Sequence, residues 1–152
     1  MRALVATVSP LIHACHRRAR VGIAGLWNEV ADALGTSLTF QRRVVPTPGM
    51  VAILEAALSV PGAPWKVRPR LGFAESRVGR VHVAHKGGCC RAYTADRTDL
   101  ATDDDGQLDV YRAAYLARFP PEKGCPRYCP TCSFRDPDDS AARQIFWHEH
   151  HG

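Results

Sequence analysis

Apolar positions recur at helical spacing in the first third of the chain. Ile23, Leu26, Trp27, Val30, Ala31 and Leu34 share one i, i+3, i+4, i+7 stripe, predicting an amphipathic helix that Gly35 ends. Upstream, Ser9 is a capping residue and Pro10 suits the first helical position, so a helix is expected from there to about Arg18. Thr47-Pro48 repeats that signal, with Val51, Leu54, Ala57 and Leu58 on one face and Pro61-Gly62 as the stop. The middle of the chain changes period. Leu38–Val45 and Arg80–Lys86 are rich in β-branched residues, and in the second Val81 and Val83 alternate around His82, so both read as strands. A further helix is expected over Asp109–Phe119, ended by Pro120-Pro121. The last is well signalled: Asp136 caps it, Pro137 opens it, Asp138 and Asp139 suit the positive end of its dipole, and Ala142, Ile145 and Phe146 form its apolar stripe. The predicted fold class is α+β: a single, mostly helical domain over 1–152 with a small sheet beside a cysteine cluster. Residues 1–86 form the helical, basic part and 87–152 the cysteine-bearing part.

Composition narrows the function. The 152 residues, 45% of them hydrophobic, suffice for one ordinary core without staples. A metal site would therefore be there for function more than to hold the chain together. No secretory signal or membrane-length apolar run is read, which predicts a cytoplasmic protein whose thiols stay reduced. The net charge of +5 gathers in His16–Arg20, Gln41–Arg43 and Lys66–Arg80. Such a surface attracts anions: nucleic acid, an acidic protein or an acidic metal chelate. Few aromatic residues interleave these charges, which argues against nucleic acid.

Candidate chemistry lies in the cysteines. Five of the six fall in KGGCC (Lys86–Cys90) and CPRYCPTC (Cys125–Cys132). Cys129-Pro-Thr-Cys132 is a CxxC, whose turn brings two sulfurs to one side for zinc, an iron–sulfur cluster or dithiol chemistry. The dithiol reading wants the motif at a helix N-terminus, whereas here the next helix waits until after Asp136. Adjacent Cys89 and Cys90 discriminate further. Neighbouring strand residues point to opposite faces, so one zinc would need a kink to use both. A binuclear cluster is larger, and Gly87-Gly88 make the approach permissive. Geometry favours a [2Fe–2S] cluster, with Zn²⁺ as the alternative and unligated thiols third.

CC followed downstream by YCPTC resembles the C-terminal signature of FhuF-type ferric siderophore reductases, CC-x10-C-x2-C. LWNEVADALG (Leu26–Gly35) is similar to the LWGN-x-ASAL helix of that family, and the order of features agrees. The resemblance implies that Cys89, Cys90, Cys129 and Cys132 hold a [2Fe–2S] cluster, making 87–152 the iron–sulfur-binding part. In this chain the interval between the two cysteine pairs is longer and contains Cys125, a substitute ligand for Cys89. The implied activity is one-electron reduction of Fe³⁺ in an anionic siderophore, releasing Fe²⁺, with the electron supplied by a donor partner. Two other classes stand beside it: a structural zinc module for protein interaction, and an iron–sulfur subunit that carries electrons or senses redox state.

Other residues are read more plainly. Trp27 is expected in the core. His13 and His16 share a helix face without implying a metal, His82 and His85 belong to a polar strand face, and His148, His150 and His151 are expected to be solvated at a frayed terminus.

Overall fold

The computed structural model describes residues 1–37, 39, 47–88, 110–120 and 129–151, less the Arg112 side chain. Among these, five helices surround one hairpin: α1 (Arg2–Ala19), α2 (Ile23–Thr36), α3 (Pro48–Leu58), β1 (Arg70–Ser76), β2 (Gly79–His85), α4 (Val110–Arg118) and α5 (Pro137–His151). The described residues are mostly helical with a small two-stranded antiparallel sheet, an α+β fold as expected.

The first helix begins well before the expected Ser9. Pro10 lies inside α1, and the Ser9 hydroxyl donates back to the Val5 carbonyl at 2.7 Å. The residues ahead of Pro10 have a reason to be helical: Val5 and Val8 pack against the core. Tertiary burial thus overrides a local start signal. In α2 the apolar stripe holds, but Gly35 does not end the helix, which runs on through Thr36. Gly35 is buried, and only glycine fits there, since a Cβ would collide with the Pro69 ring and come within 3.2 Å of Leu71 Cδ2. α3 follows expectation, with Thr47 Oγ1 accepting from the Met50 amide at 3.3 Å.

Ile12, Trp27, Ala31, Leu58 and Trp65 form the main core, and the Trp65 indole donates to the Leu58 carbonyl at 2.9 Å. β2 occupies the expected Arg80–Lys86 strand to within a residue and pairs with β1 from Arg70↔His85 to Ser76↔Gly79. β1 itself was not expected. Its residues are mostly half-buried and include Arg70, Gly72 and Glu75, so no clean alternation marks it. The predicted strand Leu38–Val45 falls, Thr39 apart, outside the described residues.

α5 has two working faces. Phe146 meets Tyr111 and Tyr115 of α4 and Phe119 just after it, at ring separations of 5.6–5.8 Å. The expected stripe captures only this side, since Ala142 and Ile145 are half-buried. The buried residues of α5 are all polar: Ser140, Arg143, Gln144 and His148. No helix among the described residues is long and apolar enough to cross a membrane.

Candidate functional site

Residues 82, 84 and 86 of a strand turn their backbone groups to the same edge. In β2 that edge faces away from β1 and is occupied by the C-terminal segment. His148 Nε2 donates to the His82 carbonyl at 3.3 Å. Gln144 closes a two-bond ring on Ala84, accepting from its amide and donating to its carbonyl, both at 2.8 Å. The Lys86 amide donates to the Thr131 carbonyl at 2.8 Å, and the Ser133 hydroxyl donates to the Gly88 carbonyl at 3.0 Å. Side chains and a loop thus stand where a third strand would, satisfying an edge that would otherwise be open.

The CxxC turn is fixed by this docking. Cys132 N–H donates to the Cys129 carbonyl, and Arg135 N–H to the Cys132 carbonyl, both at 3.1 Å. Ser140 Oγ donates to the Pro130 carbonyl at 2.7 Å, and Arg135 Nε to the Cys129 carbonyl at 3.0 Å. Arg135 is held in turn by Asp139 at 2.7 Å, which also takes Arg143 Nε at 2.9 Å. Partial burial opposes the charge on Asp139, but Arg143 and Arg135 outweigh it and hold the carboxyl below its ordinary range. Cys132 is buried and Cys129 is partly exposed. The turn therefore presents one sheltered and one accessible sulfur from a backbone tied on several sides.

The approach to the other cysteine pair is held by α2. Asp32 is fully buried, its two oxygens accepting from the Gly87 amide at 2.8 Å and the Gly88 amide at 2.9 Å. Burial pushes its carboxyl above the usual value, opposed by those amides. Glu29 pairs with Lys86 at 3.1 Å, and Asn28 Oδ1 accepts from the Lys66 and Val67 amides at 2.8 and 3.2 Å. One turn of α2 thus latches two segments while Trp27 faces the core. The glycines serve proximity, not unusual torsion, since neither has a positive φ. A Cβ on Gly87 would collide with the Arg68 carbonyl, and one on Gly88 would meet Asp32 Oδ2 at 3.0 Å and Asn28 Cβ at 3.1 Å.

Of the expected ligands, Cys129 and Cys132 come together on one turn; Cys89, Cys90 and the substitute Cys125 lie outside the described residues. The described chain reaches Gly88, the residue before Cys89, at a carbonyl bonded to Ser133, the residue after Cys132. Two soft sulfur donors on one turn, Cys129 and Cys132, are half of what a [2Fe–2S] cluster or a four-coordinate zinc takes. Among the described residues alone, no group of three or more His, Cys, Asp or Glu could hold a metal.

Several histidines depart from expectation. His82 is fully buried, with Nδ1 2.9 Å from Thr39 Oγ1 and no hydrogen-bond partner for Nε2 among the described residues. Burial, and secondarily His148, lowers its pKa to about 4. His148 is buried, not solvated. His150 is exposed as expected, yet its ring stacks on Phe146 at 3.9 Å and that of His151 on Trp147 at 4.9 Å, so the terminal turn of α5 is anchored by its own aromatics. The His85 ring joins the site by bridging Arg70 and the Arg135 carbonyl, both at 3.1 Å. The His16 ring is engaged by the Val21 carbonyl at 2.8 Å.

Asn28, Asp32, Arg135 and Gln144 were not singled out from sequence. Arg135, Asp139 and Arg143 carry a readable i, i+4, i+8 charge alternation. Asp32 and Gln144 carry no such signal, because each acts on a segment remote in sequence. No family model, curated protein or solved structure matches the chain.

Proposed function

We propose that the chain is a [2Fe–2S] protein of the ferric siderophore reductase type, with Cys89, Cys90, Cys129 and Cys132 as ligands. The observation carrying this reading is the Ser133–Gly88 hydrogen bond, 3.0 Å, which ties the residue after one cysteine pair to the residue before the other. When bound there, such a cluster supplies a one-electron step that reduces oxygen-chelated Fe³⁺ to Fe²⁺, which hard oxygen ligands hold less well. The chain's own residues position and shelter. Arg135 fixes the Cys129 carbonyl and brings positive charge beside the turn, Asp32 holds the glycine approach, and β2 carries both segments. An anionic ferric siderophore suits the basic surface, with the electron delivered from a reduced partner in the cytoplasm.

A buried Cys132 on a tied turn favours a second reading, a closed structural zinc site on the same thiolates. Purification without oxygen, followed by metal analysis and EPR of the reduced protein, separates the two. A red-brown protein with iron and inorganic sulfide and an S = 1/2 signal is expected. Colourless protein with stoichiometric zinc overturns the cluster. Serine substitution at Cys89, Cys90, Cys129 or Cys132 should abolish the chromophore, whereas Cys125→Ser should retain it.

A further inference from the structure

Five cations among the described residues are committed to ion pairs: Arg77, Arg80, Lys86, Arg135 and Arg143. None of those pairs engages Lys66, Arg68 or Arg70. These three alternate along the segment that leads into β1, and all three line one groove of about 660 Å³ against the end of α3. That volume lies within the range of about 300–1,000 Å³ that small-molecule sites occupy. Among the described residues its apolar lining is Leu58, Val67, Pro69 and Leu71, and one carboxylate, Glu55, shares the wall. Three cations against one anion make the groove electropositive.

The groove is built, not merely lined. Arg68 donates to the Ser59 hydroxyl, which is itself fixed on the Glu55 carbonyl at 2.7 Å. Arg70 bonds His85 at 3.1 Å. Each guanidinium has five N–H donors, so a single bond orients it and leaves donors for a ligand. Planar guanidinium groups suit carboxylate or catecholate oxygens, which they bind in bidentate fashion.

Position gives the groove its meaning. Its backbone at Arg68 lies so close to Gly87 that a side chain there would collide with the Arg68 carbonyl. From Arg70, hydrogen bonds run through the His85 ring to the Arg135 carbonyl, and Arg135 clamps Cys129. The groove therefore adjoins the segment preceding Cys89 and connects to the turn bearing Cys129 and Cys132.

We propose that Lys66, Arg68 and Arg70 form the docking site for a negatively charged metal chelate built on carboxylate or catecholate oxygens, in preference to neutral hydroxamate chelates. This rests on the ferric chelate reading above, but its test does not. Ga³⁺ matches Fe³⁺ in charge and nearly in size and is not reduced, so its citrate complex reports binding without redox chemistry. Calorimetric titration at low salt is expected to show binding of gallium citrate to the full chain, and much weaker binding of a neutral gallium tris-hydroxamate. Combined Lys66→Gln, Arg68→Gln and Arg70→Gln should weaken gallium citrate roughly tenfold, while Glu55→Gln should tighten it. Arg17→Gln with Arg18→Gln, on the first basic run, should leave it unchanged.

Thermal melts check that each variant is folded; if the triple variant is not, Lys66→Gln and Glu55→Gln still bracket the site with opposite shifts. No binding by the wild type, equal loss in the Arg17/Arg18 variant, or no preference for the anionic complex overturns the proposal. Gallium citrate binding without electron transfer to ferric citrate sinks the reductase reading and leaves the groove. Electron transfer with binding unaltered across the variants sinks the groove instead.

Discussion

Asp32 shows how much one side chain decides here. Its two oxygens are shared between consecutive amides, so Asp32→Asn can satisfy only one and turns an N–H toward the other. Losing a buried bond of this kind costs about 1–3 kcal/mol. The relief of uncharging a desolvated carboxyl offsets only part of that, because the amides already stabilise the charge. Chemical denaturation should place Asp32→Asn below wild type in that range, and on the proposed cluster reading the purified variant should retain less metal. Gly88→Ala acts on the same contact from the other side. The added methyl meets Asp32 and Asn28 at 3.0 and 3.1 Å, so it must push the latch open. Metal content should fall in Gly88→Ala as in Asp32→Asn, although neither residue is a ligand. Equal metal content in all three proteins would show that the latch serves stability alone.

Among the elements, β2 and α5 depend on each other. Gln144→Leu keeps the volume but strips the Ala84 amide and carbonyl of their partner in a buried setting. A loss of about 1–3 kcal/mol is expected by denaturation, with faster hydrogen exchange at Ala84 as the local signature. This seam was the least legible part of the sequence. Helices whose burial follows a simple stripe, α2 and α3, could be read directly, as could the Asp136-Pro137 start of α5. The oxygen Oδ1 of Asp136 accepts from the Asp138 and Asp139 amides at 2.9 and 3.3 Å, so that signal is purely local. Misreadings arose where the cause is distant. Ser9-Pro10 has valid start chemistry, but Val5 and Val8 find core contacts and extend α1. Gly35 resembles a stop, and its true constraint is the Pro69 ring. β1 has no clean period because it lies between half-covered faces. Only half of the candidate ligand set could be placed, and the CxxC spacing foretold its turn because such a turn is local; the Ser133–Gly88 bond joins residues 45 apart and leaves no pattern.

Across the whole molecule, the buried histidines set a response to acid. His82 is neutral in the fold, with a pKa of about 4 against an ordinary 6.5. Above pH 6.5 both folded and unfolded chains carry it neutral and nothing is lost. As the pH falls below 6.5 the unfolded chain takes up a proton that the fold refuses until about pH 4. Stability therefore drops through that window, by about 3 kcal/mol for this group. Burial lowers the pKa of His148 as well, so it acts in the same direction. Urea midpoints measured from pH 7.5 to 4 should decline accordingly, and His82→Gln should flatten the slope. The edge of β2 has a further consequence, one of timing. A ribosome delivers Asp32 and then Gly87-Gly88, so the latch can form while the C-terminal segment is still unmade. Thr131, Ser133, Gln144 and His148 follow later, and only with them is the strand edge closed and the CxxC turn seated. On the cluster reading, loading would wait for residues 131–148, because before they are made nothing holds the CxxC turn against β2.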